Sequence, residues 1–380
     1  MATYRVPGLS GERFSVIYGI AGTETEARER AEHIRHEQTV EFPPDLLPAG
    51  DIPDVVVGRL EDFTQSGPNY YQALISYAVE TAGEDLVQFL NVVFGNISIK
   101  PGVRVERIVP PLSYLNTLRG PRFGQDGLRA LTGVTDRPLI CTALKPMGLS
   151  AEAVAEQAYQ FALGGIDIIK DDHGLADQKF CSFDERVARC SDAVARANAK
   201  TGFKSIYMPN VTAPYGEIQK RSEKAKKAGA GGFLLCPGLV GLDVVRYLSE
   251  NDDFALPIMA HPAFLGSYVT SDQNGLSHYA LFGQLMRLAG ADATVFPNYG
   301  GRFSFSKEEC QGIARGCSEA MGEIKSIFPT PGGGMTTDRA QEMIEVYGKD
   351  FVLLIGGGLH RHGPDLVENS RYFLRMLENL

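Results

Sequence analysis

From residue 138 onward the chain alternates between two hydrophobic patterns. Short runs of Val, Ile, Leu and Phe are each followed by a Gly-, Pro- or Asn-rich turn and then by an amphipathic stretch of Ala, Glu and Arg. The runs predict strands over residues 138–145, 166–172, 205–210, 232–236, 257–261, 293–297, 327–331 and 351–355. Helical periodicity falls between them, for example over 151–163, 183–199, 215–227, 307–321 and 337–347. Strands alternating with helices imply parallel βα units. Eight such units in about 240 residues match a closed (β/α)₈ TIM barrel rather than an open doubly wound sheet.

The preceding residues follow another pattern, strand-like over 14–20, 54–60 and 90–99 and helical over 23–36 and 70–82. A β-α-β-β-α-β order suggests a ferredoxin-like α+β domain. The expected organisation is an N-terminal α+β domain over 1–130 and a catalytic barrel over 131–380, with the Pro- and Gly-rich residues 110–136 as the connection.

Composition narrows the class of partner. The 380 residues carry 37 Lys and Arg against 46 Asp and Glu, a net charge of −9 that disfavours nucleic acid as a ligand. A hydrophobic fraction of 44% with 22% charged residues is that of an ordinary globular protein, which excludes disorder as the main state. Six scattered cysteines without a C-x-x-C pair read as reduced core thiols. The absence of an apolar leader or membrane-length run sets the expectation of a cytoplasmic protein with no membrane partner.

Barrels of this kind collect chemistry at the C-terminal ends of their strands. There the chain places Lys145-Pro146-Met147-Gly148, Lys170-Asp171-Asp172-His173, Asn210, His261-Pro262, Gly332-Gly333-Gly334 and Gly356-Gly357-Gly358. Glycine triplets after the seventh and eighth strands let backbone N–H groups approach a phosphate; the alternative is tight turns that require positive φ. Side-chain alternation puts Lys170 and Asp172 on one face of their strand and Asp171 on the other. Either Lys170 belongs to a structural ion pair, or a modified Lys170 joins Asp172 and His173 around a hard divalent cation. Lys145 is a candidate proton-transfer lysine with a burial-lowered pKa, or else a surface charge or phosphate contact. His261 is a candidate substrate ligand or proton relay, or a structural histidine.

The motifs resemble those of the ribulose-bisphosphate carboxylase/oxygenase (RuBisCO) family. Gly164-Gly165-Ile166-Asp167-Ile168-Ile169-Lys170-Asp171-Asp172 resembles its activation motif, in which CO₂ carbamylates the lysine and the carbamate holds Mg²⁺. The segment 145–150 resembles its Lys-Pro motif. Glu37-Gln38-Thr39-Val40-Glu41 resembles the N-terminal stretch that reaches a neighbouring subunit's active site, and the two glycine triplets match its phosphate turns. The resemblance implies Lys145, Lys170, His261 and Glu37 as catalytic residues. It further implies Lys170, Asp172 and His173 at Mg²⁺, one phosphate on Gly333, Gly334, Gly356 and Gly357, and a homodimer or higher homo-oligomer.

The departures imply a RuBisCO-like protein rather than a carboxylase. His173 stands where the family has a glutamate ligand, and Met147 stands in place of a second lysine. Pro262 replaces an arginine for the second phosphate, Val295 replaces a histidine, and residues 297–302 lack the lysine that stabilises the carboxylated intermediate. Phe42-Pro43 replaces a Thr-Trp pair near Glu37. The resemblance thus implies Mg-dependent enolisation or isomerisation of a singly phosphorylated sugar without CO₂ fixation. The implied substrate is 5-methylthioribulose 1-phosphate or a related methionine-salvage intermediate. Decarboxylation of a phosphorylated branched β-keto sugar acid and a non-catalytic phosphate-binding sensor are the alternatives.

Overall fold

Residues 3–301, 303, 305–332 and 339–378 are described by a computed structural model. They fall into two units. One comprises Met1–Leu118, Leu265–Gln284 and Ala320–Glu323; the other comprises Arg119–Phe264, Leu285–Glu319 and Ile324–Leu380. Among the described residues no helix is long and apolar enough to cross a membrane. All six cysteines are buried and unpaired.

In the first unit, strands β1 (Arg13–Ala21), β2 (Arg59–Gly67), β3 (Tyr70–Ala78) and β4 (Val103–Val109) pair in the order β4-β1-β3-β2, the ferredoxin-like arrangement. Phe14, Val16, Tyr18 and Ile20 of β1 and Ile75 and Tyr77 of β3 are buried at period two. Phe14 packs on Phe89 at 4.9 Å between ring centroids, and Tyr18 donates to the Val93 carbonyl at 2.7 Å, so the helix Leu86–Phe94 lies on this face. A Thr23–Glu26 capping box starts the helix Glu24–Glu37, which buries Ala27, Ala31 and Ile34.

Three expectations are corrected here. Residues 70–82 form no α-helix: Tyr70–Ala78 is the strand β3, paired with β1 on one side and β2 on the other, and only a 3₁₀ turn follows over Val79–Thr81. Residues 90–99 form no strand. Asp85 caps the helix Leu86–Phe94, whose Leu86, Phe89, Val92 and Val93 share a helical face, and packing overrides the β-branched composition. The strand expected over 54–60 lies at Arg59–Gly67, a mostly polar edge strand with no hydrophobic run to mark it.

The second unit holds all eight expected barrel strands: β5 (Leu139–Leu144), β6 (Ile168–Asp171), β7 (Ile206–Met208), β8 (Phe233–Leu235), β9 (Ile258–Ala260), β11 (Ala293–Pro297), β12 (Phe328–Gly332) and β13 (Val352–Leu354). The two-residue β10 (Gly275–Leu276) belongs to the first unit's sheet, beside β4. Parallel ladders run β13-β5-β6-β7 and β12-β11-β9-β8. The arcs join where Leu234 N–H donates to the Pro209 carbonyl at 2.9 Å and Val211 N–H to the Leu234 carbonyl at 3.0 Å. Across the other seam, the missing side chain of Gly332 makes room for Leu354.

Inward residues at period two, including Cys141, Ile168, Met208, Leu234, Met259 and Phe328, form a dry plug. Leu128 joins it from the helix Gly124–Thr132, so part of the expected connection 110–136 closes the barrel floor.

Outside the plug, Asp171 is wholly buried. It accepts from Tyr207 Oη at 2.7 Å, Asn210 N at 2.9 Å and Arg186 Nε at 3.1 Å. Arg186, equally buried on the helix Phe183–Thr201, also donates to the carbonyls of Ala176 and Cys181. This network ties the segment after β6 to β7 and to the helix. Asp171→Ala strips the guanidinium of its buried counter-charge and should lower the unfolding free energy by about 3–5 kcal/mol. That change is read as a lower denaturant midpoint at unchanged m-value; a loss under about 1 kcal/mol, typical of an exposed pair, would contradict this role.

Candidate active site

The alternation that packs the plug carries Lys145, Lys170, Asp172 and His261 into the mouth of the barrel. Ala143 pairs with Lys170 in the β5–β6 register, and Leu235 with Ala260 in β8–β9, one residue before Cys236 and His261. Lys170 is 2% exposed, and its Nζ donates to the Asp171 carbonyl at 3.0 Å. Burial pushes the pKa of its ammonium down, the positive charge of Lys145 adds to the effect, and the negative charge of Asp172 works against it.

Asp172 Oδ1 lies 2.8 Å from Lys145 Nζ and 3.4 Å from His173 Nδ1. Burial alone would raise its pKa. Hydrogen bonds from His173 and Lys145, with the charges of Lys145 and Lys170, outweigh burial and hold the carboxyl well below the usual carboxylate range. The His173 ring stacks on His261 with centroids 4.4 Å apart and planes 13° from parallel. Burial, followed by the charges of Lys170 and His173, pushes His261 down to about 2, so its imidazole is neutral. Nδ1 of His261 accepts from the Ala263 N–H at 3.2 Å, which assigns the ring proton to Nε2.

The five barrel residues singled out from the sequence, Lys145, Lys170, Asp172, His173 and His261, are therefore brought together. Lys145 departs from expectation in one respect: its side chain is 43% exposed and ion-paired rather than buried. Sequence reasoning passed over Gln157, whose Nε2 donates to the Lys145 carbonyl at 2.7 Å while its Oε1 accepts from the Lys145 N–H at 3.3 Å. A glutamine on the buried side of the first barrel helix was the available signal. Asn210 donates to the carbonyls of His173 and Leu175 at 3.0 and 2.9 Å and shapes the turn after β6.

Among the described residues no three His, Cys, Asp or Glu side chains converge as a ready-made cation site. Asp172 and His173 could offer a cation two ligands, and a third donor would have to come from another group. The buried Lys170 fits that part chemically, since its depressed pKa favours the neutral amine that adds CO₂, and a carbamate would contribute anionic oxygens suited to a hard cation.

Gly356 and Gly357 follow β13. Neither has positive φ, and a Cβ added at either would meet open space. Packing therefore requires glycine at neither position; Gly356 lies at φ −108°, ψ −99°, a conformation that suits glycine at the turn, whereas nothing of that kind marks Gly357. Gly333 and Gly334 lie outside the described residues. After β11, Tyr299 Oη donates to Glu342 at 2.8 Å, Arg339 donates to the Tyr299 carbonyl at 3.0 Å, and its guanidinium lies 5.0 Å over the tyrosine ring. Glu37 belongs to the first unit. It accepts from Asn96 Nδ2 at 3.2 Å and lines a cleft of about 730 Å³ with His33, His36, Glu41 and Phe42.

Comparison with known proteins places this geometry. Residues 125–367 match the family described as ribulose bisphosphate carboxylase large chain, catalytic domain. The chain is 37% identical to ribulose bisphosphate carboxylase-like protein 1 of Rhodopseudomonas palustris, over 95% of this chain and 96% of that one. It is 35% identical to a 5-methylthioribulose-1-phosphate isomerase of Rhodospirillum rubrum, over 96% of both. A 2,3-diketo-5-methylthiopentyl-1-phosphate enolase of Bacillus pumilus is 32% identical over 84% of this chain and 80% of its own. The crystal structure of a Rubisco-like protein from Rhodopseudomonas palustris superposes with a TM-score of 0.86 at 37% identity, over 97% of this chain and 98% of that one. A dimeric archaeal Rubisco from Hyperthermus butylicus gives 0.87 at 27% identity, over 98% and 91%. With an N-terminal α+β domain, a (β/α)₈ barrel and a lysine–aspartate site at its mouth, the chain belongs to the ribulose bisphosphate carboxylase large-chain family, among its RuBisCO-like members.

Proposed function

We propose that the protein isomerises or enolises a singly phosphorylated ketose of the methionine-salvage type, 5-methylthioribulose 1-phosphate first among the candidates, and fixes no CO₂. The observation that carries this reading is the cluster at the barrel mouth: buried Lys170 beside an anionic Asp172 that is paired to a half-exposed Lys145. The higher identity to the Rhodospirillum rubrum isomerase than to the Bacillus pumilus enolase favours the isomerase.

In this reading a carbamylated Lys170, Asp172 and His173 would hold Mg²⁺, which would supply positive charge that acidifies the C–H next to the substrate carbonyl. The carbamate of Lys170, or Lys145 once its amine has given up the proton it holds against Asp172, takes the proton from one carbon and returns it to another; Gln157 holds Lys145 through its backbone. His261 offers its Nε2–H to a substrate oxygen. The phosphate rests on the amides of Gly356 and Gly357 together with Gly333 and Gly334. The chain works as a homodimer or larger assembly, like the dimeric Hyperthermus butylicus relative, with Glu37 completing a neighbour's site.

The reading is tested by incubating the enzyme with Mg²⁺, bicarbonate and singly phosphorylated ketoses in D₂O. Proton exchange into the methylthio ketose phosphate and conversion to an isomer are expected, with no labelled CO₂ entering 3-phosphoglycerate from ribulose bisphosphate. Carboxylation of the bisphosphate would overturn it. Gly357→Val, which fills the open space above the turn, should raise KM for every phosphorylated substrate by roughly ten- to hundredfold, the scale of a displaced charge-assisted contact. An unchanged KM would place the phosphate elsewhere. Mixing inactive Glu37→Gln with inactive Lys170→Ala chains should restore part of the activity in hybrid assemblies, whereas no recovery after verified subunit exchange would argue for sites complete within one chain.

A further inference from the structure

The sheet ends just short of the ion pair at the mouth. The β5–β6 ladder stops at Leu144 and Asp171, and the β13–β5 ladder at Leu354 and Cys141, so Lys145 and Asp172 make their 2.8 Å contact one position past the last ladder pair. On the aspartate side other groups take over. The Asp172 carbonyl accepts from Leu175 N–H at 3.0 Å, and Asn210 grips the carbonyls of His173 and Leu175. On the lysine side the next residue is Pro146, which has no N–H to offer. Both main-chain groups of Lys145 are taken by one side chain, Gln157, whose Nε2 donates to the carbonyl at 2.7 Å and whose Oε1 accepts from the N–H at 3.3 Å. Gln157 sits in the second turn of the helix Ala151–Leu163, which starts at the Ser150 cap and is anchored by buried Val154, Ala158 and Phe161. The amide thus stands in for a ladder partner. A neutral primary amide can do so because it donates and accepts at once, whereas a carboxylate only accepts.

We infer that Gln157 is a positioning residue for proton transfer: by clamping the main chain of Lys145 it fixes that side chain against Asp172 and sets the catalytic rate without touching substrate. The inference rests on the reading above with Lys145 as the group that moves the proton, and it adds the element that holds this group in place. The Lys145 side chain is 43% exposed, so its flexible stem has little packing to hold it, and the position of the amine depends on where the main chain is anchored. Without the clamp the strand end is free to shift. A displacement of about 1 Å at a reacting group costs up to about a hundredfold in rate. Because the Gln157 amide is spent on the main chain of Lys145, its loss removes no contact to the substrate, and the effect falls on kcat rather than on KM.

The test follows proton exchange in D₂O into 5-methylthioribulose 1-phosphate with wild type, Gln157→Met, Gln157→Glu, Gln157→Asn and Lys145→Ala, each checked by thermal unfolding. Methionine matches the length of glutamine without the amide, glutamate keeps only the acceptor, and asparagine is one methylene too short to span both groups. All three should lower kcat by roughly ten- to hundredfold while KM stays within about twofold. Reductive methylation of Lys145, read by mass spectrometry, should run faster in Gln157→Met as the amine is released from Asp172. Adding Gln157→Met to Lys145→Ala should cost nothing further, since the clamp acts through the lysine. Asparagine, which keeps the polarity of the helix face, decides the matter if methionine unfolds the protein at the assay temperature. Unchanged kcat, a rise in KM with kcat kept, or a further loss in the double variant would sink this inference while the reading of the active site stands. If Lys145→Ala exchanges at the wild-type rate, the proton moves without Lys145 and the inference falls with that part of the reading. If wild type exchanges nothing, the whole reading fails and this inference with it.

Discussion

Burying the Lys170 amine above the apolar plug of the barrel sets the terms for every other group at the mouth, because an ammonium stripped of water must be neutralised, paired or derivatised. Asp171 is adjacent in sequence, but strand alternation turns it outward into the network of Arg186, Tyr207 and Asn210. Asp172 faces the same way as Lys170, yet it is bound to Lys145 at 2.8 Å. Lys170 keeps a hydrogen bond to a carbonyl oxygen, and burial depresses its pKa. In the proposed reading, addition of CO₂ would resolve the conflict: the neutral amine nitrogen would bond to the carbon of CO₂ and release one proton, leaving an anionic carbamate beside Asp172. Two anionic groups side by side would then call for a divalent cation, which Asp172 without the carbamate does not.

The barrel was legible because each of its strands is a short continuous apolar run bounded by turn residues, and parallel strands buried on both faces have that pattern. The same rule placed Lys145, Lys170, Asp172, His173 and His261 at one end of the barrel before any coordinates. The α+β domain was less legible. Tyr70–Ala78 mixes Ala, Leu and Gln with its aromatics and reads as helix until its pairing with β1 and β2 is known. Leu86–Phe94 is rich in Val and Phe and reads as strand, although the aspartate before it was a cap signal. A group that acts through the backbone, such as Gln157 on Lys145, leaves no mark in a linear pattern. It depends on a distance between segments that are apart in sequence.

In the proposed reading the pocket is polarised from end to end. Glycines after β13 that need neither positive φ nor close packing leave room for an anion at one side. In the other ladder, after β9, Pro262 has no N–H to offer a second phosphate. After β11, the Tyr299–Arg339–Glu342 cluster binds the loop to the helix Ala340–Tyr347. The fold is thus common to the family, and in the proposed reading the loops set which substrate the site takes.

The state of Lys170 is the point on which this account stands, and ¹³C NMR of the protein equilibrated with [¹³C]bicarbonate and Mg²⁺ observes it directly. A slowly exchanging carbamate resonance that appears with the label, strengthens with Mg²⁺ and is absent from Lys170→Arg is the predicted result. An active enzyme that shows no such resonance, or one whose resonance persists in Lys170→Arg, would contradict it.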